Sequence, residues 1–205
     1  MNPEVEWLAK VGVITIGNKD AEVFSFLLEA LSIHNYDKPY ELISALWQKY
    51  GSYPNQTNSL NGRIFEAILA TAFLRQEISP IFIQAKVVFV PNVNFDFILY
   101  SKGLGPVSIS AKTSLRERYK QADLEAVSLK YVHRKSQSFL ITLNEEEAKS
   151  VAGKIKKGDL LGIDRVIVAS VPEFDDFVKE LQELELIEPD KITVIEAAKV
   201  LKPLN

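Results

Sequence analysis

The chain has 205 residues, 47% apolar and 25% charged, with a net charge of −3, no cysteine and two histidines, His34 and His133. Disulfide frameworks, thiolate zinc sites and cysteine nucleophiles are therefore excluded, and two distant histidines cannot make a histidine metal cluster, so any metal must be held by oxygen. The length suits one domain, 1–205, with a substantial core; no apolar run approaches membrane-spanning length, and Met1-Asn2-Pro3-Glu4 lacks the basic start of a secretion signal, which points to the cytoplasm.

The N-terminal part, about residues 1–58, reads as helical. A short helix is expected over Glu4–Lys10, a second over Ala21–Leu31 with Asp20 as N-cap, and a third over Tyr40–Tyr50 after Pro39. Val11–Ile16 between the first two is compatible with a short strand. Apolar spacing in the longer segments (Val23, Phe24, Leu27, Leu28; Leu42, Ile43, Leu46, Trp47) marks them as packing helices. Gly51–Asn58 is a polar loop by its turn chemistry. A helix follows from Ser59 or Leu60 to Arg75, with Ile64, Phe65, Ile68, Leu69, Ala72 and Phe73 as its apolar side and Glu66 beside them. Taken alone, Glu66 fits an exposed or ion-paired surface glutamate.

After Pro80 the pattern changes to strands, over Ile81–Val90, Asn94–Tyr100 and Val107–Lys112, with Lys102–Pro106 as the turn between the last two. Alternation puts Asp96, Ile98 and Tyr100 on one face of the middle strand and Ser108, Ser110 and Lys112 on one face of the next. A tight turn makes those strands antiparallel neighbours, so Asp96 and Lys112 can face the same space. From Leu115 a helix is expected whose stripe of Leu115, Tyr119, Ala122, Ala126 and Leu129 lies on the sheet, with Arg118, Gln121 and Glu125 along its flank. Ser114 and Glu117 have the spacing of a capping box.

The last third alternates: a strand at Ser138–Leu143, a helix from Asn144 to about Lys156, a strand at Arg165–Ser170 and a helix from Pro172 to about Leu184. That order implies partly parallel pairing with right-handed crossovers. The fold class is α/β or α+β, a central mixed β-sheet flanked by helices, with the core over about 59–185. The tail from Ile192 to Leu201 fits either a helix or a strand.

Charge is unevenly spread. From Lys112 to Lys135 there are seven Lys and Arg against three Asp and Glu, an excess of +4, which leaves −7 on the rest of the chain. A basic stripe on an acidic protein fits a discrete anion-binding surface, although charge alone equally fits a solvated helix face. Within it, two arginines can each present a pair of donors to guanine O6 and N7 while a glutamate accepts from cytosine N4, so Arg116-Glu117-Arg118 can read a GG/CC step. Asp96 and Glu125 are oxygen donors of the kind magnesium prefers, and Lys112 can act on a phosphate or the attacking water.

An aspartate on one strand and x-x-Lys on the next is the outline of the PD-(D/E)xK nucleases, where an acidic residue usually stands at the position of Ser110. The segment Ser110-x-Lys112, twelve intervening residues and then Glu125 resembles one branch, the Type II restriction endonucleases for CCGG, CCNGG and related sites, which includes the EcoRII catalytic domain. The resemblance implies a restriction endonuclease-like fold. It also implies catalytic roles for Asp96, Ser110, Lys112, Glu125 and Glu66, with Glu125 as a carboxylate that has moved from the strand to the helix. Metal would lie on Asp96 and Glu125, with magnesium as cofactor. Base reading would fall to Arg116, Glu117 and Arg118, and a minor-groove contact to Gln56.

The same resemblance implies double-stranded DNA as partner, a homodimer formed through the N-terminal helices, and a cytoplasmic, prokaryotic setting. An aromatic among Trp47, Tyr50 and Tyr53 would be available to stack on an extruded base, although core packing accounts for all three. The likeness is tight over Asp96–Ala126 and loose over Asn55–Phe73. Asp96 follows Phe95 rather than proline, the interval from Asp96 to Lys112 is short, and a separate effector domain is not expected. Three rival readings stay open from sequence: a repair or junction nuclease of the same fold, a non-catalytic DNA-binding module, and a structural ion-pair network of Asp96, Lys112 and Glu125.

Overall fold

In the computed structural model, residues 2–189 and 195–203 are described. Helix α1 (Pro3–Lys10) is opened by Asn2, whose side-chain oxygen accepts from the Glu4 amide at 2.8 Å, and has proline where a missing N–H costs nothing. α2 (Lys19–Leu27) and α3 (Pro39–Tyr50) follow. α4 (Asn58–Arg75) starts at Thr57, whose hydroxyl accepts from the Leu60 amide at 3.1 Å. α4 is apolar nearly all round because it is buried nearly all round, between the sheet and the other N-terminal helices. A polar residue on such a helix therefore sits in an unusual environment.

Strands β1 (Ile81–Val87), β2 (Phe95–Ser101) and β3 (Gly105–Ala111) form an antiparallel meander. α5 (Arg118–Val132) crosses to β4 (Gln137–Thr142), and α6 (Glu145–Lys157) crosses to β5 (Arg165–Val168), both strands pairing in parallel. After α7 (Glu173–Gln182) the chain returns as β6 (Ile195–Leu201), antiparallel to β1. The six-stranded mixed sheet has the order β5-β4-β3-β2-β1-β6. Phe97, Ile109, Phe139 and Ile141 face the large core made with the N-terminal helices and α7, while Leu140 faces α5 and Val151 of α6. Leu115, in the turn before α5, and the α5 residues Tyr119, Ala122, Ala126 and Leu129 are each buried.

Several local expectations are corrected. Val11–Ile16 is a turn rather than a strand: Gly12 has φ +85°, and the Val13 and Ile14 amides bond back to the Leu8 carbonyl at 2.9 and 3.4 Å. α2 begins at Lys19 after Asn18 and ends at Leu27, short of Leu31; Asp20 lies inside its first turn and binds Arg63 at 3.1 Å instead of capping the helix. β1 stops at Val87, short of Val90: the chain turns there, with the Val90 amide bonded to the Val87 carbonyl at 3.1 Å and Phe89 at φ +65°. The tail is strand over 195–201, and residues 192–194 lie outside the described residues.

Candidate active site

The register of the sheet assembles a polar row. Phe97 pairs with Ile109 and with Ile83, so one step along β2 brings Asp96 level with Ser110 of β3 and Gln84 of β1. The inside–outside alternation slips here. Phe82, Ala85 and Val87 lie in one apolar cluster, as do Phe95 and Ile98, although strict period two would divide each set. Gln84 is the point of slippage on β1, with a φ of +49° that costs a non-glycine residue on the order of 1–3 kcal/mol.

Asp96 is the hub of the row. Its Oδ2 accepts from the Ser110 hydroxyl at 3.2 Å, the Ala111 amide at 2.8 Å and the Lys112 ammonium at 2.6 Å. Both partners of the ion pair are nearly sealed, at 11% side-chain exposure each. Lys112 follows the last residue of β3, yet its amide still bonds to the Ile141 carbonyl of β4 at 2.9 Å, which fixes the base of the side chain. The expected convergence of Asp96 and Lys112 is therefore present, and Ser110 joins it as a donor. Oδ1 of Asp96 carries no hydrogen bond among the described residues, so one oxygen is committed to the protein and the other is available.

Two further carboxylates approach from opposite faces of the sheet. Glu66, half-buried on α4, accepts from Gln84 Nε2 at 3.1 Å. Burial and then the Asp96 charge push its carboxyl up to about 7, against the Gln84 hydrogen bond and the Lys112 charge, which favour ionisation. Glu66 is thus part-buried and hydrogen-bonded to the sheet rather than a surface glutamate. Glu125, on α5, accepts from Gln121 at 2.7 Å; burial raises its carboxyl, the Gln121 bond and Lys112 oppose this, and Asp96 adds to it. Both glutamates feel the charges of Asp96 and Lys112, while direct contact among the four groups is confined to the Asp96–Lys112 pair.

The segment after Lys112 is a turn rather than the start of a helix. α5 begins at Arg118 with Glu117 as N-cap position, Arg116 holds φ +31°, and the Arg118 amide bonds to the Leu115 carbonyl at 2.5 Å. The Ser114–Glu117 capping box does not form. The Ser114 hydroxyl instead meets the Glu147 carboxylate of α6 at 3.1 Å, the same carboxylate accepts from the Leu115 amide at 2.6 Å, and Glu117 pairs with Lys120. Arg116, Glu117 and Arg118 all stand exposed on this turn. Further along α5, the buried Asp123 receives the Gly162 and Ile163 amides at 2.7 and 3.0 Å, which pins the helix to the 160–163 loop.

The hydrogen bonds of Gln56 are made within its own loop. Its Nε2 donates to the Tyr50 and Tyr53 carbonyls at 2.7 and 3.3 Å and shapes its own loop. Tyr50 and Tyr53 are buried, their hydroxyls bonded to Asn61 at 2.7 Å and Glu22 at 2.6 Å, and Trp47 packs on Tyr50 and Phe65 with ring centroids 5.2 and 5.7 Å apart. These rings belong to the N-terminal core. Sequence reasoning missed Gln84, Asn94, Asp123 and Glu147; a glutamine amid the apolar run Ile81–Val90 was the one local signal among them.

Among the described residues no three His, Asp or Glu side chains group tightly enough to hold a metal by themselves. The donor set nevertheless suits magnesium, which keeps several waters and takes only one or two carboxylates. Asp96 offers an uncommitted oxygen, and the glutamates that burial and like charge push toward protonation are groups a nearby cation would return to the charged form.

No family model matches the chain, and no curated protein sequence does. Among solved structures it is similar to the complex of restriction endonuclease PspGI with substrate DNA, at 18% sequence identity and a TM-score of 0.56, over 86% of this chain and 88% of that chain. This chain has the restriction endonuclease-like fold. No helix among the described residues is long and apolar enough to cross a membrane.

Proposed function

We propose that the protein is a magnesium-dependent, site-specific endodeoxyribonuclease that cuts both strands of DNA at a short palindrome with CC/GG half-sites, of the CCGG or CCNGG type. The observation that supports this reading best is the junction at the end of β3. The Asp96–Lys112 pair, with Glu66 and Glu125 in electrostatic reach, runs within four residues into an exposed turn carrying Arg116, Glu117 and Arg118.

Asp96 and Glu125 would hold magnesium, which when bound neutralises charge on the scissile phosphate and lowers the pKa of a water. Lys112, held by Asp96 and the β4 pairing, lies ready to stabilise the charge that builds on the phosphate oxygens. Ser110 and the Ala111 amide keep the Asp96 carboxylate oriented, and Glu66 supports the site from α4. Attack of water on phosphorus breaks the P–O3′ bond and leaves a 5′-phosphate and a 3′-hydroxyl. Arg116 and Arg118 read guanines and Glu117 a cytosine, while Gln56 approaches the minor groove.

A palindrome requires two-fold symmetry and hence a homodimer. The helical part, about 1–58, and the exposed Leu124, Val127 and Tyr131 of α5 are the candidate contact surfaces. Residues 1–205 act as one unit, with about 59–185 as its catalytic core. The test is digestion of unmethylated plasmids carrying CCGG, CCAGG, CCTGG and CCCGG sites with magnesium, followed by sequencing of the ends. Discrete fragments with ends at one such site are expected; intact plasmid, or cutting indifferent to sequence, overturns the proposal.

A further inference from the structure

Gln84 breaks the rule of its strand. It is the one member of the polar row with left-handed backbone, φ +49°, while the pairs on either side of it, Ile83 with Phe97 and Ala85 with Phe95, keep the same register. The distortion therefore changes the face to which Gln84 and the residues after it are turned without shifting the pairing of the strand. What that side chain does is fixed at both ends of its amide. Asn94 donates to its Oε1 at 2.6 Å, which assigns the NH2 group to the other side, where it donates to Glu66 at 3.1 Å. Asn94 lies two residues before Asp96, so the chain of bonds starts next to the hub of the site and ends on the glutamate across from it.

We propose that Gln84 is a positioning residue of the cleavage site, holding the Glu66 carboxylate toward Asp96 through the Asn94–Gln84–Glu66 relay. This inference rests on the nuclease reading given above and adds to it a role for a residue that carries no charge. A carboxylate on a long, half-buried side chain has several rotamers, and a single donor from a rigid strand removes most of them. A glutamine in relaxed extended backbone would point along the other parity of the strand and miss α4. The strained φ is the local condition for the contact, as expected when distortion gathers at sites that use it.

Gln84→Gly separates the contact from the backbone, since glycine takes a φ of +49° freely. With the plasmid panel above, Gln84→Gly is expected to keep its thermal midpoint and its binding of a cognate duplex in calcium, and to cut with magnesium at least tenfold more slowly. Glu66→Ala should show a similar loss, and the double variant should be no slower than Glu66→Ala alone, because Gln84 acts through Glu66. Losses that multiply in the double variant, or wild-type cutting by Gln84→Gly, overturn the positioning role while leaving the nuclease reading intact. A wild-type protein that cuts no plasmid of the panel overturns both.

Discussion

The Glu147 carboxylate of α6 sits 2.6 Å from the Leu115 amide and also receives the Ser114 hydroxyl, so an acid on one crossover helix holds the turn that precedes the other. That turn bears Arg116 in left-handed backbone. Removing the acceptor leaves an orphaned amide in a strained turn. Glu147→Ala should cost about 1–3 kcal/mol in urea denaturation, and Glu147→Gln, which keeps a carbonyl acceptor, should cost less. If the turn is the DNA-reading element, Glu147→Ala also relaxes site preference on the plasmid panel; unchanged stability and preference together would show that α6 does not hold the turn.

Lys112 and Asp96 neutralise each other in a nearly sealed setting. Taking away one partner leaves an uncompensated charge, at a cost of roughly 3–5 kcal/mol. Lys112→Met is therefore expected to lower stability by that order and abolish cleavage while cognate DNA is still bound. Asp96→Asn added to Lys112→Met should return part of the lost stability, since the remaining carboxylate charge is gone. A double variant no more stable than Lys112→Met would refute the pairing argument.

Glu66 links pH to both stability and activity. Its carboxyl is pushed up to about 7 from an ordinary value of 4.5. Between those values the folded protein keeps a proton that the unfolded chain has released, so the stability from this group is present below pH 4.5 and is lost as pH rises through about 7. The whole effect is on the order of 3 kcal/mol. Glu66→Gln should flatten that slope in denaturation curves run across the window. If Glu66 supports a magnesium site in its charged form, cleavage at limiting magnesium should rise where stability falls.

Gly162 shows how closely α5 is fitted to its supporting loop. A Cβ there would lie 2.3 Å from the Asp123 carbonyl oxygen and 2.5 Å from the Val127 nitrogen, both backbone atoms that cannot step aside cheaply. Gly162→Ala should destabilise by about 1–3 kcal/mol or more and shift α5, with reduced cleavage as Glu125 moves. A thermal midpoint equal to that of the wild type would mean the loop yields instead.

Arg116 distinguishes reading from grip. Arg116→Lys keeps the charge and loses the planar fork, so it should lower cleavage of the preferred site roughly 10- to 100-fold, matching about 1–3 kcal/mol per bidentate contact. Weak cutting of near-cognate sites should change little. An equal loss on every substrate would assign Arg116 to the phosphate backbone.

The meeting of Asp96 with Lys112 is legible in the sequence because it follows from two rules acting together, period-two alternation and a short antiparallel turn between the two strands, which the structure places at residues 102–104. The α5 stripe is legible for the same kind of reason, since a helix on a sheet must turn one face inward. Gln84 stands out as a polar residue in an apolar run, but its role is not legible, because that role depends on breaking the alternation that would otherwise place it. Glu147 meets Leu115 across 32 residues, a distance at which no local pattern speaks. Asp20 illustrates a local rule overruled: it has the chemistry of an N-cap, but Arg63 on α4 offers a charged partner, and Asn18 takes the cap position without a side-chain bond. Ser114 and Glu117 likewise have the spacing of a capping box, and the acid on α6 claims the serine.

The aromatic packing of Trp47 on Tyr50 and Phe65 has a spectroscopic consequence. The two tryptophans of the chain, Trp7 on α1 and Trp47 on α3, both lie in the N-terminal helical layer, part-buried against the large core, and none lies on the sheet or α5. Tryptophan emission therefore reports that layer, while the far-ultraviolet circular dichroism of the chain reports every helix and strand. Coincident transitions would show the layer and the sheet melting as one cooperative unit; an early emission change would show the helical layer loosening while the sheet that holds Asp96 stays folded.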